Sequence, residues 1–248
     1  MIEKTKTFFV VLIYLNIVYC SEILLNEIIL KTDLEFKKVS DFKAKMTVEL
    51  NVPGLRMPKK VYRAYYKQPN KFKATTDGFG VLPNTGLFTS PKDNFDNLKD
   101  LFINHDQNIT EKYQIMISGT LIADSLKAKF PNEYAKLSFN PVVDVVVDTT
   151  KWLIQSVTSR IDTLKLFQIR SEYELYENKY YLPTISTVEY FIKDVKLANW
   201  LKDDVPGIIG AKQRLDNNKD MVKGKIIVKY SDYSINENLP DYIFKKKK

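Results

Sequence analysis

VYRAYYKQPNKFKATTDGF, residues 61–79, holds two extended runs, 61–68 and 71–76, on either side of Pro69-Asn70. Proline fixes φ and removes a backbone donor, and asparagine tolerates turn geometry, so the pair bends the chain between two antiparallel strands. Asp77-Gly78 turns it again, and Phe79, Val81 and Leu82 open a third strand. A hairpin continued into a further strand makes the class antiparallel β, and the rest of the chain is read outward from it.

Residues 41–52 alternate strictly, with Phe42, Ala44, Met46, Val48 and Leu50 on one face and Lys43, Lys45, Thr47, Glu49 and Asn51 on the other, the pattern of a half-buried strand. Ahead of it, 22–39 carries Leu24, Leu25, Ile28, Ile29, Leu34 and Phe36 near helical period, a helix that covers a core. Strands are expected at 113–122, 135–139, 142–147, 152–159, 164–175, 185–192 and 225–234. A short helix is expected at 95–102 and a helical or irregular piece at 123–130, and 239–244 docks or frays at the end. In the strand 164–175, Phe167, Ile169, Ser171, Tyr173 and Leu175 share a face. About ten strands in meander order, with helices at the N-terminus and in insertions near 83–108 and 193–223, give one domain, 21–244, built on a single curved antiparallel sheet or barrel.

The chain has 248 residues, enough for one large all-β domain, and its 15 Tyr and 14 Phe against 8 Gly suit strands lined by aromatics. One Cys and one His leave little for a zinc site or a Cys/His nucleophile, and no metal or cofactor is expected. His105 falls in an irregular stretch and reads as exposed. Asp144 and Asp148 share a strand face about 13 Å apart at ~3.3 Å per residue, too far for a paired-carboxylate hydrolase, so no catalytic residue is assigned. Net charge is +8, but the basic residues are scattered among nearly as many acids and no nucleic-acid motif occurs. Lys245 to Lys248 form a basic tail, either solvated or in contact with anionic headgroups.

Residues 1–20 place Lys4 and Lys6 ahead of an apolar run at 8–18, the layout of a secretory signal. Cleavage after Cys20 is expected. The rival, acylation of Cys20 to tether the protein to a membrane, is opposed by Tyr19, where a small residue is wanted.

Lys67-Gln68-Pro69-Asn70-Lys71-Phe72 resembles the strand turn of the LolA/LolB superfamily, carriers of lipoproteins or lipids across the periplasm. Val145-Val146-Val147-Asp148 before Trp152-Leu153-Ile154, and Tyr181-Leu182-Pro183-Thr184, resemble two further strand junctions of that family, so the likeness spans 22–192 and the final strand. It implies an incomplete, half β-barrel whose concave side is covered by helices, with an apolar cavity for acyl chains, in an exported, periplasmic monomer. The ligand-binding wall is then expected from Phe42, Met46, Val48, Tyr62, Tyr66, Phe72, Phe79, Ile115, Ile169 and Tyr173. The family carries arginine before Pro-Asn, where this chain has Gln68. Gln68 is expected as a neutral lid contact, and Arg63 either substitutes for the missing charge or is an outward solubilising residue. Lipid or lipoprotein acyl chains are the expected partners, with envelope membrane proteins beside them. The alternative on the same fold is an envelope sensor or protein-binding module.

Overall fold

The computed structural model of the chain describes residues 24–51, 58–78, 90–104, 112–122, 141–192 and 222–245. The expected leader with Cys20, the strand beginning at Phe79, His105, the pieces at 123–130 and 135–139, the insertion at 193–221 and Lys246 to Lys248 lie outside them.

Helix α1, residues 24–37, turns Leu25, Ile28 and Thr32 inward. It is laced by Glu27–Lys31 and by Lys37 with the buried Asp33, ion pairs four residues apart that support a helix. The strands follow as β1 (Asp41–Asn51), β2 (Lys60–Lys67) and β3 (Lys71–Thr75), then helix α2 (Pro91–Asp96) and β4 (Leu98–Asn104). Next come β5 (Gln114–Leu121), β6 (Val142–Asp148), β7 (Leu153–Ile161), β8 (Leu164–Tyr176), β9 (Tyr180–Ile192) and β10 (Val222–Ile235), and a 3₁₀ turn, Asp241–Phe244, closes the series.

All ten strands join one antiparallel sheet in the order β3-β2-β1-β10-β9-β8-β7-β6-β5-β4. The last strand returns to pair with the first, so β1 sits inside the sheet and β3 and β4 are its two edges. The sheet is open, and the chain between β3 and β4 must pass from one edge to the other. That passage carries α2.

Residues 95–102 are not a helix. Ser90 Oγ accepts from Asp93 N at 3.0 Å and Pro91 opens α2, which ends at Asn97, so the helix lies earlier. Leu98 to Asn104 instead pairs with β5, with a register shift between Lys99 and Phe102 and Asp100 at φ 54°. The helical spacing of Phe95, Leu98 and Phe102 misleads because the bulge inserts residues into a period of two.

Four more register shifts, at Lys43/Lys45, Val146/Val147, Ser159/Arg160 and Glu172/Tyr173, curl the sheet. The last explains why β9 starts at Tyr180 rather than 185. Pro183 faces Tyr173 at the bulge, beyond the β9–β10 ladder, where its missing N–H costs no bond.

Candidate functional site

Cross-strand rows decide where the concave side is filled. Val157, Ile169, Val188, Ile226 and Leu50 form one row across β7, β8, β9, β10 and β1. The next row reads Ser171, Ser186, Val228 and Val48, with two serines where its neighbour has Ile and Val. Beyond it Tyr173 faces Pro183. Small side chains on β8 and β9 leave space, and α1 and α2 roof it.

The result is a hollow of about 130 Å³. Its floor is Val157, Ile169, Ser171, Tyr173, Pro183, Ser186 and Tyr230. Phe42 and Tyr66 wall it on the β1–β2 side, Trp152 to Ser156 on the β7 side, and Thr32, Glu35 and Phe36 of α1, Val39 just after it, and Pro91 and Asn94 of α2 cover it. Glu35 is the one charged residue among these, and Lys38 pairs with it at 2.6 Å. An apolar ligand therefore meets no naked charge inside.

The polar atoms of the wall are mostly engaged with one another. Tyr173 Oη donates to the Ile154 carbonyl at 2.9 Å, beside the bulge in β7. Ser171 and Ser186 hydroxyls lie 3.1 Å apart, and Tyr233 Oη donates to the Pro183 carbonyl at 2.7 Å. Thr32 Oγ1 donates back to the Ile28 and Ile29 carbonyls within α1. Burial pushes the Tyr173 hydroxyl up to about 12, partly offset by its hydrogen bond with Ser171, and raises Tyr66, Tyr230 and Tyr233 as well. All four stay neutral at neutral pH.

The hairpin turn holds the cover. Gln68 Nε2 donates to the Val39 carbonyl at 2.7 Å and the Lys37 carbonyl at 3.1 Å, while its backbone N–H donates to Ser40 O at 2.8 Å. Carbonyls at the C-terminal end of a helix lack intrahelical partners, and a neutral amide satisfies them. Phe36 of α1 meets Tyr66 edge-on at 5.8 Å, and Tyr66 stacks on Phe42 at 5.3 Å. Trp152 at the β6–β7 turn carries Lys31 Nζ of α1 4.4 Å from its ring centroid.

Of the residues expected from sequence, Phe42, Tyr66, Ile169 and Tyr173 meet at this hollow. Met46, Val48 and Tyr62 are buried in a neighbouring, filled part of the core, with Phe72 packed against it. Ile115 packs with Ile117, Val145 and Val147 under α1. Gln68 touches α1. Arg63 is exposed and pairs with Lys45, on the face opposite the helices, so the structure does not bring it to the cover. Trp152, Tyr181, Pro183, Tyr230 and the α1 residues were not named as wall residues from sequence, although the first three stood in quoted strand junctions and the helix was expected as a cover. Only the serines broke a pattern there, as small polar residues on an otherwise apolar face.

A larger hollow of about 730 Å³ lies mainly on the outer face of β5 to β8. Two of its carboxylates are bound up structurally. Arg160 Nε and Nη2 donate to the two oxygens of Asp144, which also accepts from Ser118 Oγ at 2.6 Å. Asp148 accepts from Thr150 N, Thr150 Oγ1 and Lys151 N and so ties the β6–β7 turn. Among the described residues no group of three or more His, Cys, Asp or Glu side chains could hold a metal ion, and no helix is long and apolar enough to cross a membrane.

No protein-family model matches the chain, and no curated protein sequence does. Solved structures do. An outer membrane lipoprotein-sorting protein domain from Vibrio parahaemolyticus superposes with TM-score 0.55 at 11% identity, over 88% of this chain and 94% of that one. A DUF1329 family protein from Desulfovibrio piger gives TM-score 0.53 at 10% identity, over 88% and 95%. A LolA superfamily protein from Nitrosomonas europaea gives 0.48 at 12% identity, over 89% and 97%. At these identities the likeness is one of fold. The chain shares the fold of the first two, an open, curved antiparallel sheet, as the hairpin motif implied.

Proposed function

We propose that the protein is an exported carrier that holds the acyl chains of a lipid or lipoprotein between its curved sheet and α1, in the periplasm. The observation that carries this reading is the hollow at the Ser171–Ser186 row, apolar on most sides and covered by two helices rather than by strands. Acyl surface removed from water there gains roughly 25 cal/mol per Å². The resident hollow of about 130 Å³ is below the ~300–1,000 Å³ of ordinary ligand pockets, so loading requires the cover to swing out. Gln68, whose side-chain amide binds the end of α1, is the residue on which that motion hinges. The lipoprotein-sorting name of the Vibrio structural relative supports the same cargo class.

Native mass spectrometry of protein expressed with its own leader, followed by organic extraction, tests it. A bound lipid or acylated peptide, absent from a folded Ser171→Leu variant, is expected. A protein that stays unliganded when lipids are offered, and that co-purifies with an envelope protein instead, overturns the carrier reading in favour of a protein-binding module. The same spectrum reports whether the chain begins at Ser21 or at an acylated Cys20.

A further inference from the structure

The outer face at the other end of the sheet is built differently from the cavity side. Two pairs of cations sit directly opposite one another across antiparallel strands there: Lys67 against Lys71, and Lys45 against Arg63. Like charges in that position repel and destabilise the sheet. For the first pair the fold supplies a remedy. Asp241 of the terminal 3₁₀ turn reaches between them, 2.8 Å from Lys67 Nζ and 2.9 Å from Lys71 Nζ.

The second pair has no such carboxylate. Lys45 and Arg63 are both exposed, and neither makes an ion pair with another described residue. Lys229 of β10 joins them: it pairs with Thr47, two residues from Lys45 and on the same face, and it too is exposed. Three exposed cations thus stand on three adjacent strands about 4.8 Å apart, with Lys229 offset by two residues from Lys45. They lie on the face opposite Met46 and Val48, away from the acyl hollow.

From this juxtaposition we infer that the outer face of β2, β1 and β10 docks on a bilayer surface rich in anionic phospholipid headgroups. The array asks for several anions in a plane rather than one. Neither hollow described above is lined by Lys45, Arg63 or Lys229, so among the described residues neither encloses a single soluble anion at this array. A net charge of +8 works in the same direction. The carrier cavity and the docking face are separate, and the inference stands whether or not the cavity carries lipid.

The test is co-sedimentation of the full-length chain with vesicles of phosphatidylcholine alone and with one third phosphatidylglycerol. Any apolar segment partitions into both, so the increment from neutral to anionic vesicles is the readout. Lys45→Glu/Arg63→Glu/Lys229→Glu is expected to lower anionic binding by roughly tenfold or more. Lys92→Glu/Lys99→Glu/Lys165→Glu, with the same charge change at exposed sites on α2, β4 and β8, is expected to keep most of it. At about 1 M salt, where the screening length is ~3 Å, the increment disappears. Arg63→Glu alone converts the repelling pair into an attracting one, so it is expected to melt higher and bind anionic vesicles less, a combination that a misfolded variant cannot give. Equal loss in both triple variants, unchanged binding by the first, no increment for the parent chain, or binding to an acidic protein in place of vesicles would each overturn the docking face.

Discussion

Two adjoining regions of the concave side differ by one layer of side chains. Where β1, β2, β9 and β10 meet, Met46, Val48, Tyr62, Val188, Ile226 and Val228 are 0 to 3% exposed and pack on each other. One row further along β8 and β9, Ser171 and Ser186 replace the aliphatics and a hollow opens under α1. Both regions belong to the same strands and the same alternation. The lesson is that a half-barrel is hollow where its rows are under-filled, and side-chain volume, not strand geometry, sets the place.

The largest effect separating the two regions is expected from Met46→Ala. Emptying a fully buried, close-packed site costs ~2–5 kcal/mol, read as a lower urea midpoint at unchanged slope, with lipid uptake intact in the folded fraction. Ser171→Leu is the converse. Filling the hollow costs less, about 1–3 kcal/mol at most, but abolishes lipid uptake. If Met46→Ala abolished uptake and Ser171→Leu spared it, the two regions would have been assigned the wrong way round.

Alkaline titration sharpens the contrast, because the raised tyrosines line or adjoin the hollow. Their folded pKa lies above the ordinary value of 10, so the stabilisation is full below pH 10 and is lost as pH rises towards 12, the value for Tyr173. Phenolate absorbance from these residues is expected to appear only together with loss of tertiary structure. Early ionisation without unfolding would mean that water already fills the hollow.

A smaller effect is expected at the latch. Gln68→Ala removes two hydrogen bonds to the end of α1, costs ~1 kcal/mol, and speeds lipid entry measured by stopped flow. The smallest is at the C-terminus. Lys67 and Lys71 hold Asp241 down to about 2, so its contribution is present above pH 4 and fades as pH falls towards 2. Asp241→Asn is expected to lower stability slightly at pH 7 and to leave it unchanged near pH 2, flattening the acid limb of the stability curve in that window.

Much of this sheet was legible because alternation and turn chemistry are local. The β2–β3 hairpin followed from Pro69-Asn70, and the inward face of β1 from Phe42, Met46 and Val48. The pairing of β10 with β1 was not legible, since it joins residues nearly two hundred apart. β4 was misread because its bulge near Asp100 imitates helical spacing. The site was half legible for the same kind of reason. Alternation tells which face Met46 and Tyr173 share, but the bulges at Gln155 and at Glu172/Tyr173 decide which row is hollow, and a bulge leaves no mark in composition. Trp152 was read as the start of a strand and not as a site residue, because it belongs to a turn, at φ 56°, and reaches the cavity only through the fold.

Trp152 also supplies the most direct test. It lines the hollow, and the chain's other tryptophan, Trp200, is removed by Trp200→Phe. Fluorescence of that single-tryptophan protein is titrated with a fatty acid brominated along its chain. An acyl chain lodged beneath α1 brings bromine against Trp152, so saturable quenching is expected, reversed by unlabelled fatty acid and absent when Ser171→Leu is added. Saturable quenching that survives Ser171→Leu, or none at all while fatty acid binds by another measure, would contradict the placement of the acyl site at the Ser171–Ser186 row.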